Sequence, residues 1–223
     1  MIESNDKNFW VTEHSNRRSE FDPLTQEPSN FAIKCAGLLN PYSTILELGC
    51  GRGRDAAFFV KNCQANVFTV DIAHNALSLM GDDYPQEVTK IYRINASNAH
   101  LPIAFSRNQF DAIYARSAIY ADDDSLQVLL RQFKKSLKPD GFIMLEGKTA
   151  KSKDMERSIP IGGHLMVDKS DHVRRVWEIY NSLELIVKAK LTLIDYGFTE
   201  ETWNEEEKIF LHIICKVFHR NSP

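Results

Sequence analysis

Five short apolar runs, most of them followed by a helical stretch, set the rhythm of the chain up to Gly147. Thr44-Ile45-Leu46-Glu47-Leu48 predicts a strand that runs straight into Gly49-Cys50-Gly51-Arg52-Gly53. Arg54 to Lys61 predicts a helix with Ala56, Ala57, Phe59 and Val60 as its apolar positions. Asn66 to Val70 predicts a second strand that stops at Asp71, Ala73 to Met80 a helix, Lys90 to Ile94 a third strand and Phe110 to Tyr114 a fourth. Asp122-Asp123-Asp124 marks a helix start, because carboxylates suit the positive end of the helix dipole. Leu126, Leu129, Leu130, Phe133 and Leu137 then recur at helical spacing, and Lys138-Pro139-Asp140-Gly141 stops the helix. Phe142 to Leu145 is uniformly apolar, as a strand buried on both faces should be.

Strands alternating with helices predict an α/β fold, with a doubly wound, mostly parallel sheet and helices on both faces. Leu185 to Ala189 and Ile209 to Phe218 read as two late strands. They bring the sheet to seven strands, the last of them antiparallel. Lys148 to Met166 is polar, holds Gly162-Gly163 and reads as a loop; Asp168 to Leu183 reads as a helix, and Trp203 to Glu207 as an acidic turn. Residues 1–30 are polar with Phe9, Trp10 and Phe21 as isolated anchors, which predicts an N-terminal arm. The expected organisation is that arm, then one domain over 31–223 with a variable substrate loop at 148–170.

The 223 residues carry 27 Lys and Arg against 30 Asp and Glu, a formal charge of −3. That balance argues against a generic nucleic-acid binder. A hydrophobic content of 43% with 26% charged residues excludes wholesale disorder. Cys35, Cys50, Cys63 and Cys215 form no CxxC pair, so neither a zinc site nor a thioredoxin-type motif is indicated. Scattered thiols predict a reducing compartment. Met1 to Glu20 holds no apolar signal core, and no run approaches the ~20 apolar residues of a membrane helix. The expectation is a soluble cytoplasmic protein without a metal.

The chemistry concentrates in Glu47-x-Gly49-x-Gly51-x-Gly53, directly after a strand and before a helix. Glycines there allow a tight turn and close approach of a ligand, and the helix behind them presents free N–H groups. Asp71 follows at the end of the next strand, where a carboxylate can accept both ribose hydroxyls of a nucleoside. The glycine spacing departs from the dinucleotide pattern GxGxxG, and no Walker Lys-Ser/Thr follows.

This block resembles the first motif of class I S-adenosylmethionine-dependent methyltransferases. Val70-Asp71-Ile72 resembles the second motif of that family. Ala99-His100-Leu101-Pro102 with Gln109-Phe110-Asp111, and Leu137-Lys138-Pro139-Asp140-Gly141-Phe142, resemble two later ones. The four blocks stand in family order across about 43 to 147. The Gly-Arg-Gly-Arg-Asp stretch at 51–55 is similar to the small-molecule and tellurite-resistance-type branch.

The resemblance implies S-adenosylmethionine as cofactor and in-line transfer of its methyl to a small or medium-sized acceptor, largely by proximity and orientation. By the same resemblance Glu47 orients the glycine turn or the methionine amino group. Gly49, Gly51 and Gly53 let the backbone pass the amino-acid tail, Asp71 binds the ribose and Ile72 packs on adenine. Ser97 stands where the family often has Asp, so Ser97 or Asn98 would meet the adenine edge. Arg116 is a further candidate for cofactor contact. Trp10, Tyr120 and His164 are candidates for the acceptor pocket. Ala115 to Tyr120, after the fourth strand, is neither Asn/Asp-Pro-Pro-Tyr/Phe nor Pro-Cys, which lowers the odds of a DNA-base acceptor. The alternatives are a protein or RNA methyltransferase and a non-catalytic cofactor-binding subunit. The arm around Phe9 to Phe21 and the loop 148–166 are expected to close the site together.

Overall fold

Helix α1 (Ile2–Asn16) leads, followed by α2 (Asn30–Ala36), whose first turn is capped by the Ser29 hydroxyl accepting the Ala32 N–H at 3.0 Å. These elements belong to a computed structural model that describes residues 2–16, 27–97, 105, 107–203 and 206–218. Then come β1 (Thr44–Leu48), α3 (Arg54–Cys63), β2 (Asn66–Asp71), α4 (His74–Asp83), β3 (Ile91–Asn95), β4 (Phe110–Arg116), α5 (Asp123–Ser136) and β5 (Leu137–Lys148). Three short strands follow, β6 (Ile159–Gly162), β7 (Leu165–Val167) and β8 (Val173–Arg175). The chain finishes with α6 (Ile179–Lys188), β9 (Thr192–Trp203) and β10 (Glu206–Lys216).

Seven strands form one sheet in the order β3-β2-β1-β4-β5-β10-β9. The first five run parallel, and β10 lies antiparallel to both β5 and β9. The doubly wound sheet and the antiparallel final strand are as the sequence predicts. Helices cover both faces. On one, α5 and α6 pack Leu126, Leu130, Phe133 and Leu185 against Leu46, Ile113 and Leu145. On the other, α2, α3 and α4 pack Phe31, Phe59 and Met80 against Ile45, Tyr114 and Met144. Strand order reverses between β1 and β4, which opens a crevice beyond their carboxyl ends. No helix among the described residues is long and apolar enough to cross a membrane.

Beyond Gly147 several expectations are corrected. The stretch 159–175 forms an antiparallel sheet β6-β7-β8, where the sequence reading had a loop and the start of a helix. Leu185 to Ala189, expected as a strand, is the end of α6. Leu185 and Ile186 are buried while Val187 is exposed, a one-sided pattern that so short an apolar run does not separate from a strand. The strand before β10 is instead Thr192–Trp203. Strand β5 starts at Leu137, immediately after α5. Lys138 to Gly141 interrupts its ladder, since Phe110 pairs with Leu137 and Ala112 with Phe142.

Candidate functional site

A cavity of about 270 Å³ opens at the carboxyl ends of β1, β2, β4 and β5, where the switch in strand order places it. Its cofactor-like half is built by the glycine turn. Gly51 and Gly53 both take left-handed backbone, at φ +54° and +86°. A side chain at Gly51 would come within 3.1 Å of His14 on α1, which also lines the cavity. Gly53 serves a different purpose: a Cβ there would stand 2.7 Å from Met80, so this glycine lets α3 and α4 approach and does not line the cavity. Asp71 anchors the turn from the neighbouring strand. Its Oδ2 accepts the Gly51 N–H at 2.7 Å and its Oδ1 the Ala73 N–H at 2.8 Å. Burial raises the Asp71 pKa, against these backbone hydrogen bonds.

Glu47 lines the same half and is 4% exposed. Its Oε2 has no hydrogen-bond partner among the described residues. Burial, reinforced by Asp55 nearby, pushes its carboxyl well above the ordinary range. A buried carboxylate with one unpartnered oxygen, lining a cavity, fits a ligand that brings a cation, such as the amino group of S-adenosylmethionine. Asp55, at the start of α3, is by contrast saturated. It accepts from the Ser29 N–H at 2.9 Å, the Ser29 hydroxyl at 2.8 Å and the Tyr114 hydroxyl at 2.7 Å, and pairs with Arg54 at 2.9 Å. Burial opposes its charge, but Arg54, Arg116 and these hydrogen bonds hold its pKa below the usual value.

The other half is aromatic and cationic. Trp10, from α1, and Tyr120 lie nearly parallel, 6° apart with centroids at 6.4 Å. His172 stands perpendicular to both, at 5.3 and 5.1 Å. Arg174 lies 5.6 Å from the Trp10 ring and 5.8 Å from that of Tyr120, and Asp168 accepts its Nε–H at 2.8 Å. Lys148, at the end of β5, donates to Asp154, and the Lys208 ammonium sits 3.6 Å from the same carboxylate. Helix α1 is fastened over this mouth by Asn75, whose Nδ2 donates to the Val11 carbonyl at 2.8 Å and the Ser15 hydroxyl at 2.9 Å.

Of the residues singled out from sequence, Trp10, Glu47, Gly49, Gly51, Asp71, Ile72, Arg116 and Tyr120 line one cavity. Arg116 reaches it while bound from behind by Glu146 at 2.7 Å and Glu201 at 2.6 Å. Ser97 is half-buried after β3 and outside the lining, and Asn98 lies outside the described residues. His164 is also outside the lining. It sits at the β6–β7 turn with its Nδ1 2.8 Å from Asp123, at the start of α5. Sequence reasoning missed Lys148, Asp154, Arg174 and Lys208. Only Lys148 carried a signal, its place at the start of the loop expected after the Phe142–Leu145 strand. Among the described residues, no group of three or more His, Cys, Asp or Glu side chains could hold a metal ion.

Residues 45–141 match the family model described as a methyltransferase domain. Human mitochondrial arginine-hydroxylase NDUFAF5 (Homo sapiens) is 32% identical over 124 residues, which are 55% of this chain and 34% of that protein. The chain thus spans about a third of the length of the curated relatives it matches. Among solved structures, the Burkholderia thailandensis 1,6-didemethyltoxoflavin-N1-methyltransferase, with its substrate and S-adenosylhomocysteine bound, superposes with a TM-score of 0.69. It is 16% identical and the alignment covers 96% of this chain and 87% of that one. A SAM-dependent methyltransferase from Methanosarcina mazei superposes at 0.70, with 14% identity over 84% of this chain and 98% of that one. These likenesses establish the fold. They agree with the methyltransferase-domain match over residues 45–141 and with the ordered motifs from Glu47 to Gly141, which resemble those of class I S-adenosylmethionine-dependent methyltransferases.

Proposed function

We propose that this chain transfers a methyl group from S-adenosylmethionine to a small or medium-sized organic acceptor. The observation that carries the reading is Glu47, a buried carboxylate facing the same cavity as the glycine turn and the Trp10–Tyr120 pair. Glu47 receives the amino group of the cofactor. Asp71 keeps the turn in shape through Gly51 and offers its remaining lone pairs to the ribose hydroxyls. Ile72 packs against the adenine. The bound cofactor supplies an electrophilic methyl on a sulfonium whose departure leaves a neutral thioether. What remains for the protein is to orient the acceptor and exclude water, so no acid is required for the leaving group.

Residues 31–223 form the methyltransferase domain in this reading. Residues 1–30 are an arm whose α1 closes the mouth, and 148–170 is the segment that shapes the acceptor side. The cytoplasm remains the proposed compartment, consistent with four buried free cysteines. Calorimetric titration with S-adenosylhomocysteine, followed by transfer of a labelled methyl group into a metabolite extract, tests the function. Binding together with a labelled small product supports it. Label appearing only in protein or RNA replaces the acceptor class, binding without transfer under any acceptor favours a non-catalytic subunit, and no binding refutes the reading.

A further inference from the structure

We propose that a hollow at the amino ends of β4 and β5 is a second binding site, one that takes a compact, multiply charged phosphate anion such as a triphosphate group. It lies at the opposite end of the sheet from the cavity of the glycine turn, and the proposal stands whatever that cavity binds. Arg107 and Asn108, before β4, form one side. Arg131, Lys134 and Lys135, on the last turns of α5, come next, and Lys188 and Lys190, at the end of α6, form the other side. The sides are tied together. The Asn108 N–H donates to the Lys135 carbonyl at 3.2 Å, and Lys134 Nζ donates to the Lys190 carbonyl at 2.8 Å. Asn108 and Lys190 both turn through left-handed backbone, at φ +55° and +54°. The hollow measures about 630 Å³, inside the range of about 300–1,000 Å³ usual for small-ligand sites.

The charge here is one-sided. Six cations line the hollow and no carboxylate does. Lys188 is balanced by Glu184 at 2.7 Å. Asp111, next along β4, is taken by Lys138 and the Thr44 N–H, and Asp123, at the far end of α5, by Arg175 and His164. Among the described residues, no carboxylate stands within 4.0 Å of the charged ends of Arg107, Arg131, Lys134, Lys135 or Lys190. Residues 96–110 hold no Asp or Glu at all. Cations at a helix end commonly answer the negative end of the dipole, and two helices end here. Each supplies only about half an elementary charge, so of the five remaining cations about four stay uncompensated. A monoanion leaves most of that excess; a triphosphate group matches it. Arg107 and Arg131 bring guanidinium forks with no carboxylate to hold, a shape that takes two phosphate oxygens at once. The concavity suits a compact ligand better than a flat membrane surface.

The test titrates the full chain calorimetrically with tripolyphosphate, and with sulfate at matched ionic strength. Tripolyphosphate should bind about tenfold more tightly than sulfate or better, and more weakly as salt rises. Arg131→Gln/Lys135→Gln should weaken it by about tenfold, and Arg107→Gln by a smaller factor. Lys61→Gln/Lys151→Gln, at two exposed lysines outside the hollow, should leave it unchanged. Lys134 is left in place because it ties α5 to α6. Melting curves report whether each variant is folded, so the result does not depend on S-adenosylhomocysteine. Hexa-aspartate, a short single-stranded RNA and phosphatidylserine vesicles are titrated in parallel, each with tripolyphosphate as competitor. Tripolyphosphate that fails to bind at about 1 mM, binds no better than sulfate, or keeps its affinity in Arg131→Gln/Lys135→Gln overturns the proposal. So does binding of the peptide, the RNA or the vesicles that tripolyphosphate does not displace, since the occupant is then an extended polyanion.

Discussion

Asp71 holds Gly51: the carboxylate at the end of β2 accepts the backbone N–H of the glycine that bends the chain after β1, at 2.7 Å. The two residues are 20 apart in sequence and on adjacent strands. The carboxylate at the end of β2 therefore shapes the turn after β1, and a change at Asp71 should act on the proposed cofactor site in two ways, through a lost acceptor and through a loosened turn.

Asp71→Ala should lower affinity for S-adenosylhomocysteine by more than the about ten- to hundredfold expected from losing a charged acceptor alone. Asp71→Asn keeps one carbonyl oxygen that can still take the Gly51 N–H, and should fall between Ala and wild type. Calorimetry on both variants checks the order. An Ala variant that is folded and binds like wild type would falsify the placement of the ribose at Asp71.

Gly51 and Gly53 should separate binding from stability. Gly53→Val forces a branched residue into φ +86° with Met80 at 2.7 Å, so it should destabilise the fold by several kcal/mol, roughly ten degrees in melting temperature. Among the described residues a side chain at Gly51 meets His14, which lines the cavity, and Gly51→Val adds backbone strain of about 1–3 kcal/mol. It should remain folded and lose the rise in melting temperature that ligand gives the wild type. Thermal melts with and without S-adenosylhomocysteine compare the two.

Arg116 should prove to be a buried structural cation as well as a wall of the site. Arg116→Leu leaves Glu146 buried without its partner, which costs about 3–5 kcal/mol. Removing both charges in Arg116→Leu/Glu146→Leu should recover much of that loss, since the uncompensated buried carboxylate is gone. Urea denaturation of the two single variants and the double variant measures the coupling. Additive losses would show that the pair is not energetically linked.

The first five strands and the glycine turn are legible in the sequence because local signals decide them. β1, β2, β4 and the Phe142–Leu145 part of β5 are apolar runs of a buried parallel sheet, and Gly51 and Gly53 mark left-handed backbone that other residues avoid. The acceptor side is not legible in this way. Arg174 comes from a three-residue strand, Asp154 from a single 3-10 turn and Lys208 from β10, and only the tertiary fold brings them to Lys148. His164 looked like a site residue because it follows two glycines. Asp123 at the start of α5 holds it elsewhere. Gly53 belonged to the motif, yet its contact is with Met80 and not with the cavity.

His172 gives the stability curve an acid limb. Burial, helped by Arg174, lowers its pKa from 6.5 to about 4. The unfolded chain takes up this proton near pH 6.5 while the folded chain resists it until about 4. The contribution is thus intact above 6.5 and lost as pH falls through that window. His172→Phe keeps a flat ring between Phe9, Trp10 and Tyr120 but cannot titrate. Its stability should fall less between pH 6.5 and 4 than that of the wild type. Identical slopes in denaturation at a series of pH values would remove His172 as the cause.

Helix α1 should behave as a cover that tightens on the ligand. Asn75 on α4 fastens it, donating to the Val11 carbonyl and the Ser15 hydroxyl. Its apolar part is Trp10 against Tyr120 and Phe9 against His172, and both meet at the mouth of the cavity. A ligand that touches His14 and Trp10, both lining the cavity, should shift the helix measurably toward the closed state. Hydrogen exchange with S-adenosylhomocysteine bound should therefore slow at residues 8–16 as well as at 47–53 and 70–73. Asn75→Leu removes the two hydrogen bonds, worth about 1–3 kcal/mol together, and should raise the ligand dissociation rate by tenfold or more while the association rate changes little. If ligand protects only the glycine turn and the Asp71 region, α1 does not close on the site, and the acceptor enters an open pocket.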